Sequence, residues 1–446
     1  MQIHLIAIGG AVMHNLALAL SNKGYQVTGS DDEIFEPSLS RLKQRGLLPE
    51  KWGWFPEKIH PGLDAVILGM HARADNPELI RARELGLPVY SFPEYIYQQS
   101  VDKTRVAICG SHGKTTITSM IIHVLQQQGR TFDYLVGAQL AGFDTMVQLS
   151  DAPVIIIEGD EYFASPLDKR PKFLHYHANI NLISGIAWDH FNVFPTYESY
   201  TDQFKLLMED GDASTQLVLN GDDPEIVKLL ANTETSSQIM YYHTPAHQVV
   251  NGKMQIRFQD QAYTLSVFGK HNLQNMEGAH AVCRALGVED ADFYSSMTSF
   301  KGAARRLEVF KQSEDHILFR DFAHAPSKVA ATVDAVKEQY PDKKLVAVLE
   351  LHTFSSLSKS FIGQYANTMK KADVRIVYFN PHTVALKKLP ALSPEEVMHY
   401  FNDSSLMVMN DSGQLIEVLK KLNVVNTNML LMSSGNFDNL DFSILT

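Results

Sequence analysis

Arg105-Val106-Ala107-Ile108-Cys109-Gly110-Ser111-His112-Gly113-Lys114-Thr115-Thr116 sets the architecture of the chain. Arg105–Cys109 reads as a short, mostly apolar strand. The loop behind it carries two glycines, a lysine and threonines, and Ile117, Met120, Ile121, Val124 and Leu125 then recur at helical spacing until Gly129. Glycines let backbone N–H groups fold around phosphate oxygens, and a helix start adds the positive end of its dipole. Lys114 can reach β- and γ-phosphates, and Thr115 can offer a hydroxyl to Mg²⁺. The general GxxxxGK[ST] pattern asks for glycine at 108, where Ile108 stands, so this is a shorter G-x-x-G-K-T loop. Strand, loop and amphipathic helix in that order predict nucleotide binding at Gly110–Thr115.

Working outward, Pro153–Ile157 is a continuous β-branched run of the kind expected in a buried central strand. It delivers Glu158, Asp160 and Glu161 at its C-terminal end. Mg²⁺ prefers oxygen donors, so a carboxylate there and the Thr115 hydroxyl could hold the metal of ATP. Ile180–Ile183 reads as another strand, ending near Asp189-His190, where imidazole could complete the shell of a second ion.

Upstream, Met1–Ile8 is a strand leading to Gly9-Gly10, followed by a helix with apolar residues at Met13, Leu16, Ala17 and Leu20. Further strands fall at Tyr25–Gly29, Ala65–Gly69 and Pro88–Ser91, with a helix near Glu78–Glu84. Gly9-Gly10 and Ser30-Asp31 suggest a nucleotide diphosphate at the first helix start, although GxGxxG spacing fails and an NAD site is disfavoured. From about Lys301 the alternation restarts: strand His316–Phe319, helix Ser327–Gln339, strand Lys344–Leu349, helix Lys359–Lys371, strand Val374–Phe379 and strand Met429–Met432. Arg305-Arg306 could clamp a phosphoryl group, and Asp321 and His324 sit at a strand-to-helix turn. Alternating strands and helices predict an α/β chain with parallel sheets, divided at 1–101, 102–303 and 304–446.

The 446 residues include 45% hydrophobic and 20% charged side chains, enough for several packed cores and too apolar for disorder. No apolar run has the length of a membrane span, and no signal peptide is apparent, so a cytoplasmic location is expected. Cys109 and Cys283 make no disulfide framework or CxxC site. A net charge of −11 disfavours generic nucleic-acid binding, which depends on neutralising phosphates.

In order along the chain, Ile8-Gly9-Gly10 with Met13, Gly29-Ser30-Asp31, Gly110–Thr116, Glu158–Glu161, Asp189-His190, Gly269-Lys270-His271-Asn272, Arg305-Arg306 and Asp321–His324 together resemble the Mur ligases. That family comprises bacterial ATP-dependent amide-forming enzymes of peptidoglycan assembly. The resemblance covers essentially the whole chain, and the short G-x-x-G-K-T loop is the form the family carries. It implies a Rossmann-like N-terminal domain holding a UDP-sugar through Gly9, Gly10, Met13, Ser30 and Asp31. A P-loop ATPase-like central domain would bind ATP through Gly110–Thr116, and a Rossmann-like C-terminal domain would take the amino substrate. Lys114, Glu158, His190 and Arg305 would be catalytic; Asn272, Arg305 and Asp321 would contact ATP; Thr115, Glu158 and His190 would hold Mg²⁺. Lys205, if carbamylated, would join the metal set, and His324 and His352 would serve the amino substrate.

The segment Asp168–Tyr176 is similar to the branch of the family that joins UDP-N-acetylmuramate to the tripeptide L-Ala-γ-D-Glu-meso-diaminopimelate through an acyl phosphate, in peptidoglycan recycling. Two departures stand out. Arg320 and Ala325 replace an acid and a histidine of the family pattern, and the loop Glu350–Ser356 lacks the arginine expected there. The alternatives are an L-alanine ligase acting on the same sugar and, in another class, a UDP-sugar-binding regulator with a vestigial ATP site. Small-molecule partners, a murein peptide among them, and a monomer or weak homo-oligomer are expected, with neither nucleic acid nor membrane.

Overall fold

The computed structural model describes residues 1–446 except 71, 138–142, 190, 192, 251, 314, 423, 424 and 446. Its described residues group into two compact units. The first comprises Met1–Ile186, Thr201–Tyr242 and Gly278–Gly287; the second comprises Ala187–Tyr200, His243–Glu277 and Val288–Thr446.

The first unit contains two sheets. One is fully parallel, in the order β2 (Gln26–Ser30), β1 (Gln2–Ile6), β3 (Ala65–Leu68), β4 (Val89–Ser91). Ile3, Leu5 and Ile6 are fully buried in β1, and the helix Ala11–Asn22 packs Leu16, Ala17 and Leu20 inward, so the N-terminal periodicity is realised. The other sheet has seven strands. Its order is β11 (Gln238–Tyr242), β10 (Gln216–Asn220), β9 (Ile180–Ile183), β5 (Thr104–Cys109), β8 (Val154–Glu158), β6 (Asp133–Leu135), β7 (Val147–Gln148). Only the β6–β7 pair is antiparallel. β5 lies at the centre of this sheet between β8 and β9. Its buried, alkyl-rich strand and the apolar face of helix Lys114–Gln127 form a continuous core, which fixes the loop between them.

Buried cations anchor the start of β5. Lys103 is 3.0 Å from Asp133 and donates to the Ser150 and Ala152 carbonyls, and Arg105 donates to the Ser100 and Tyr176 carbonyls. Each charge is satisfied several times over, as burial requires.

In the second unit a three-stranded antiparallel sheet runs in the order β12 (His247–Val250), β13 (Lys253–Phe258), β14 (Gln261–Leu265). A six-stranded sheet has the order β15 (Glu308–Gln312), β16 (Ile317–Asp321), β20 (Thr427–Met432), β17 (Lys344–Leu351), β18 (Val374–Phe379), β19 (Met407–Met409). All its pairings are parallel except β15 with β16. The strands inside that sheet are wholly apolar where both faces are covered: Leu345–Leu349 and Met429–Met432 are all buried.

The expected helix Lys359–Lys371 is corrected by the structure to a chain of turns around one short 3₁₀ segment, Ile362–Tyr365. Its N–H groups reach back three residues, from Gln364 to Phe361, Ala366 to Gly363 and Thr368 to Tyr365. Ala366 (ψ 128°) and the left-handed Asn367 (φ 64°) break the helical run, yet Phe361, Ile362, Tyr365 and Met369 stay buried. The apolar spacing marked a buried face without specifying its backbone. Among the described residues, no helix is long and apolar enough to cross a membrane.

Candidate active site

Gly110 has φ 122° and Gly113 φ 82°, both conformations that favour glycine. A Cβ on Gly110 would stand 2.3 Å from Ser184 Oγ, so no side chain fits there. Ser184 ties the loop to the end of β9: its N–H and hydroxyl both reach the Cys109 carbonyl, and the hydroxyl also donates to the His112 carbonyl. Ser111 donates from its N–H and hydroxyl to the Gly185 carbonyl. These bonds hold the Gly110–Gly113 backbone from behind, and helix Lys114–Gln127 begins directly beyond it.

Lys114 Nζ donates to the Gly110 carbonyl at 2.5 Å and to Glu161 at 2.9 Å, and the Glu161 side chain is fully buried. The Thr115 hydroxyl donates to Glu158 at 3.2 Å. Thus the strand end delivers two carboxylates to one loop, Glu158 beside the hydroxyl and Glu161 beside the ammonium. Asp160 instead pairs with Lys172 at 2.6 Å, and that ammonium also lies 5.5 Å from the centre of the Tyr162 ring and 5.8 Å from that of Phe92. Cys109, wholly buried under the loop, has its thiol pushed far up by burial and is inert packing. Thr115 and Glu158 form a hard oxygen donor set that suits Mg²⁺. Among the other predicted metal ligands, His190 lies outside the described residues. Lys205 sits half-exposed on helix Tyr197–Glu209, 3.8 Å from Glu209.

At the N-terminal sheet a cleft of about 1290 Å³ opens over the start of helix Ala11–Asn22, lined by Gly9, Gly10, His14, Asp31, Arg41 and Arg73 among others. Asp31 accepts the Gly9 N–H at 2.7 Å, and burial raises its carboxyl above the ordinary range. Ser30 is fully buried and accepts from Lys58 at 3.1 Å, while Met13 is packed in the core. Gly9, Gly10 and Asp31 therefore line the cleft, and Met13 and Ser30 support it from within.

In the second unit, Asn272 is buried and donates to the Phe268 carbonyl at 2.8 Å. Asp321, at the end of β16, accepts from the Leu307 N–H at 2.5 Å and the Ala323 N–H at 2.6 Å, and burial raises its carboxyl. Arg305 has a left-handed backbone (φ 55°) and donates to the Gly435 carbonyl at 2.6 Å. Its guanidinium lies 5.3 Å from the centre of the Phe322 ring. His324 donates from Nδ1 to the Phe322 carbonyl (2.8 Å), and burial, followed by the Lys328 cation, lowers its pKa to about 4. Lys328 pairs with Asp189 at 3.3 Å, giving Asp189 of the predicted pair a structural partner.

Residues missed in the sequence complete this edge. Glu350 is 2% exposed at the end of β17, accepts the Ser433 hydroxyl and, at 2.9 Å, the Phe437 N–H, and stands 3.6 Å from His352. Gly435 packs against His352, where a Cβ would come within 2.6 Å of Nδ1. His352, named from the sequence for the amino substrate, stands beside this cluster, whose other signal was an acid ending a buried strand.

The family match covers these same regions. The Mur ligase family catalytic domain matches residues 2–101, the Mur ligase middle domain 108–283, and the Mur ligase glutamate ligase domain 305–435. The UDP-N-acetylmuramate–L-alanine ligase of Lactiplantibacillus plantarum is 31% identical over 83% of this chain and 82% of its own. The UDP-N-acetylmuramate–L-alanyl-γ-D-glutamyl-meso-2,6-diaminoheptandioate ligase of Haemophilus influenzae is 27% identical over 100% of this chain and 98% of its own. The fold resembles a murein peptide ligase from Psychrobacter arcticus (TM-score 0.65, 22% identity, 98% and 97% of the two chains). It also resembles the UDP-N-acetylmuramate-alanine ligase of Thermotoga maritima (TM-score 0.69, 20% identity, 98% and 97%). The chain belongs to the Mur ligase family of ATP-dependent amide ligases in peptidoglycan synthesis.

Proposed function

We propose that this enzyme joins UDP-N-acetylmuramate to the tripeptide L-Ala-γ-D-Glu-meso-diaminopimelate in the bacterial cytoplasm. In this reading residues 1–101 hold the sugar nucleotide over Gly9, Gly10 and Asp31, residues 102–303 hold ATP, and residues 304–446 hold the amine. The observation that carries the ligase chemistry is the Gly110–Thr115 loop with Lys114 set between the Gly110 carbonyl and Glu161. The muramoyl carboxylate oxygen attacks the γ-phosphorus of ATP and ADP leaves. The peptide amine then attacks the acyl carbon, phosphate departs with the former carboxylate oxygen, and the nitrogen loses a proton. Backbone N–H groups and Lys114 stabilise charge spreading over the transferring phosphoryl group, and little covalent participation by the protein is needed. Thr115 and Glu158 are the residues that would hold Mg²⁺, which supplies further charge for the phosphates, with His190 and Lys205 as proposed members of a second metal set. Arg305, Asn272 and Asp321 are assigned to ATP, and His324 and His352 to the amino substrate.

Two features support the tripeptide as the amine. The Haemophilus influenzae relative named for it aligns end to end with this chain, and Asp168–Tyr176 resembles that branch. The second reading, L-alanine, is favoured by the higher identity to the Lactiplantibacillus plantarum ligase. Phosphate release from ATP with UDP-N-acetylmuramate, measured with tripeptide, L-alanine or no amine, separates them. Tripeptide-dependent release is expected; turnover with L-alanine alone overturns the assignment, and none with either amine favours a binding protein.

A further inference from the structure

Away from the phosphate loop, one group of three metal-ligating side chains comes together among the described residues. It consists of Glu94, Asp168 and His175, with one ligand atom from each lying within 4.8 Å of the other two. All three belong to the first compact unit. Glu94 stands in the first turn of the helix Phe92–Gln98, and His175 in the 3₁₀ segment Lys172–Tyr176, which packs against that helix. Asp168 and His175 come from the stretch already singled out in the sequence, and the ligase chemistry uses neither.

The histidine carries the argument. Its side chain is 3% exposed, yet Nε2 is buried with no hydrogen-bond partner among the described residues. A buried polar atom costs stability unless something pairs with it. Nε2 lies 3.5 Å from the Asp168 carboxylate and Nδ1 lies 3.9 Å from Oε1 of Glu94, both too long for good hydrogen bonds. An ordinary ion pair is disfavoured as well. Burial, followed by the Arg170 cation, lowers the pKa of His175 from its ordinary value, so the ring is uncharged at neutral pH. Uncharged imidazole is the form that ligates metals.

The two carboxylates are positioned from behind. Glu94 uses Oε2 to accept from the Ser91 N–H (2.7 Å) and hydroxyl (2.8 Å), and turns Oε1 towards His175. Asp168 accepts from the Arg170 N–H at 2.9 Å and from its guanidinium at 2.6 Å. Outer partners of this kind orient metal-bound carboxylates. Donors about 2.1 Å from a tetrahedral Zn²⁺ stand about 3.4 Å from one another. The 3.5 Å separation of Nε2 and Asp168 already meets that, and small side-chain rotations bring in Glu94.

We propose that Glu94, Asp168 and His175 bind one zinc-class divalent ion, which staples the helix Phe92–Gln98 to the 168–176 segment. Glu94 and Asp168 are partly exposed, which leaves room for a water to complete the shell. A nitrogen donor beside two carboxylates selects Zn²⁺ over Mg²⁺ and Ca²⁺, which take oxygen donors. The site is chemically distinct from Thr115 and Glu158, and it does not depend on which amine the enzyme accepts.

The test dialyses chelator-stripped, full-length protein against Zn²⁺ in saturating Mg²⁺, for wild type, Glu158→Gln, Glu94→Gln and His175→Gln. Wild type and Glu158→Gln should share one tightly held Zn²⁺. Glu94→Gln keeps a capping acceptor for Ser91 but loses the charge, and should weaken that Zn²⁺ at least ~10-fold, as should His175→Gln. X-ray absorption of the bound metal should show one imidazole among oxygen donors. If wild type and Glu158→Gln share no bound Zn²⁺, the proposal is overturned. Equal affinity in Glu94→Gln also overturns it, and decides the matter even if His175→Gln fails to fold. A metal shell with two or more imidazoles would place the ion elsewhere and contradict the assignment.

Discussion

The Gly110–Thr116 loop and the C-terminal edge of the six-stranded sheet both present charged groups at strand ends, but they are built from opposite materials. The first is backbone geometry: two glycines with positive φ, a helix start, and a Ser184 clamp from behind. The second is side-chain geometry, with Glu350, Ser433, Arg305 and Arg320 contributed by segments far apart in sequence. A backbone site tolerates almost no added atoms, whereas a side-chain site can exchange one charge for another and so change what it recognises.

That contrast can be broken by substitution. Lys114→Ala should cost at least ~3 kcal/mol of transition-state stabilisation, about a hundredfold or more in kcat, because a preorganised charge aimed at the phosphoryl group is lost. Near-wild-type turnover would remove the assigned site. Gly110→Ala should cost about 2 kcal/mol or more of stability, since its Cβ would stand 2.3 Å from Ser184 Oγ at φ 122°. Urea denaturation measures it, and a neutral effect would mean that the loop is less constrained than its contacts indicate. At the other edge, Glu350→Ala should cost about 1–3 kcal/mol by leaving the Phe437 N–H buried without its acceptor, and Glu350→Gln should restore much of that.

At neutral pH the last effect vanishes, and it emerges only on acidification. Burial lowers His324 from its ordinary 6.5 to about 4, so the folded protein disfavours the imidazolium. Between those values the unfolded chain binds more protons, so this contribution is complete above about 6.5 and is lost as the pH falls towards about 4. His324→Gln should flatten that limb of the stability–pH curve; an unchanged curve would show that His324 is not its source.

The same contrast explains what could be read from the sequence. Strand, loop and helix at 105–129 are adjacent in the chain, so glycines, lysine and apolar period mark the proposed phosphate site in the sequence itself. Glu161 stood in the acidic cluster already singled out, but only the fold shows that it, rather than Asp160, meets Lys114. Of the Glu350 cluster the sequence marked only His352 and the loop that begins at Glu350, because Ser433, Gly435 and Phe437 join them only when β17 and β20 pair. The helix expected at 359–371 failed for a related reason. Its apolar spacing reported burial correctly, but the extended Ala366 and left-handed Asn367 let the chain bury that face through successive three-residue turns. The antiparallel strands β12–β14 were equally inconspicuous, being short and partly exposed.

The most direct test of the account follows the oxygen. UDP-N-acetylmuramate carrying ¹⁸O in its muramoyl carboxylate is incubated with ATP, the tripeptide and the enzyme, and the released phosphate is analysed by mass. Carboxylate attack on the γ-phosphorus predicts one ¹⁸O atom in each phosphate released during ligation and ADP as the nucleotide product. Unlabelled phosphate, or AMP and pyrophosphate in place of ADP, would contradict it.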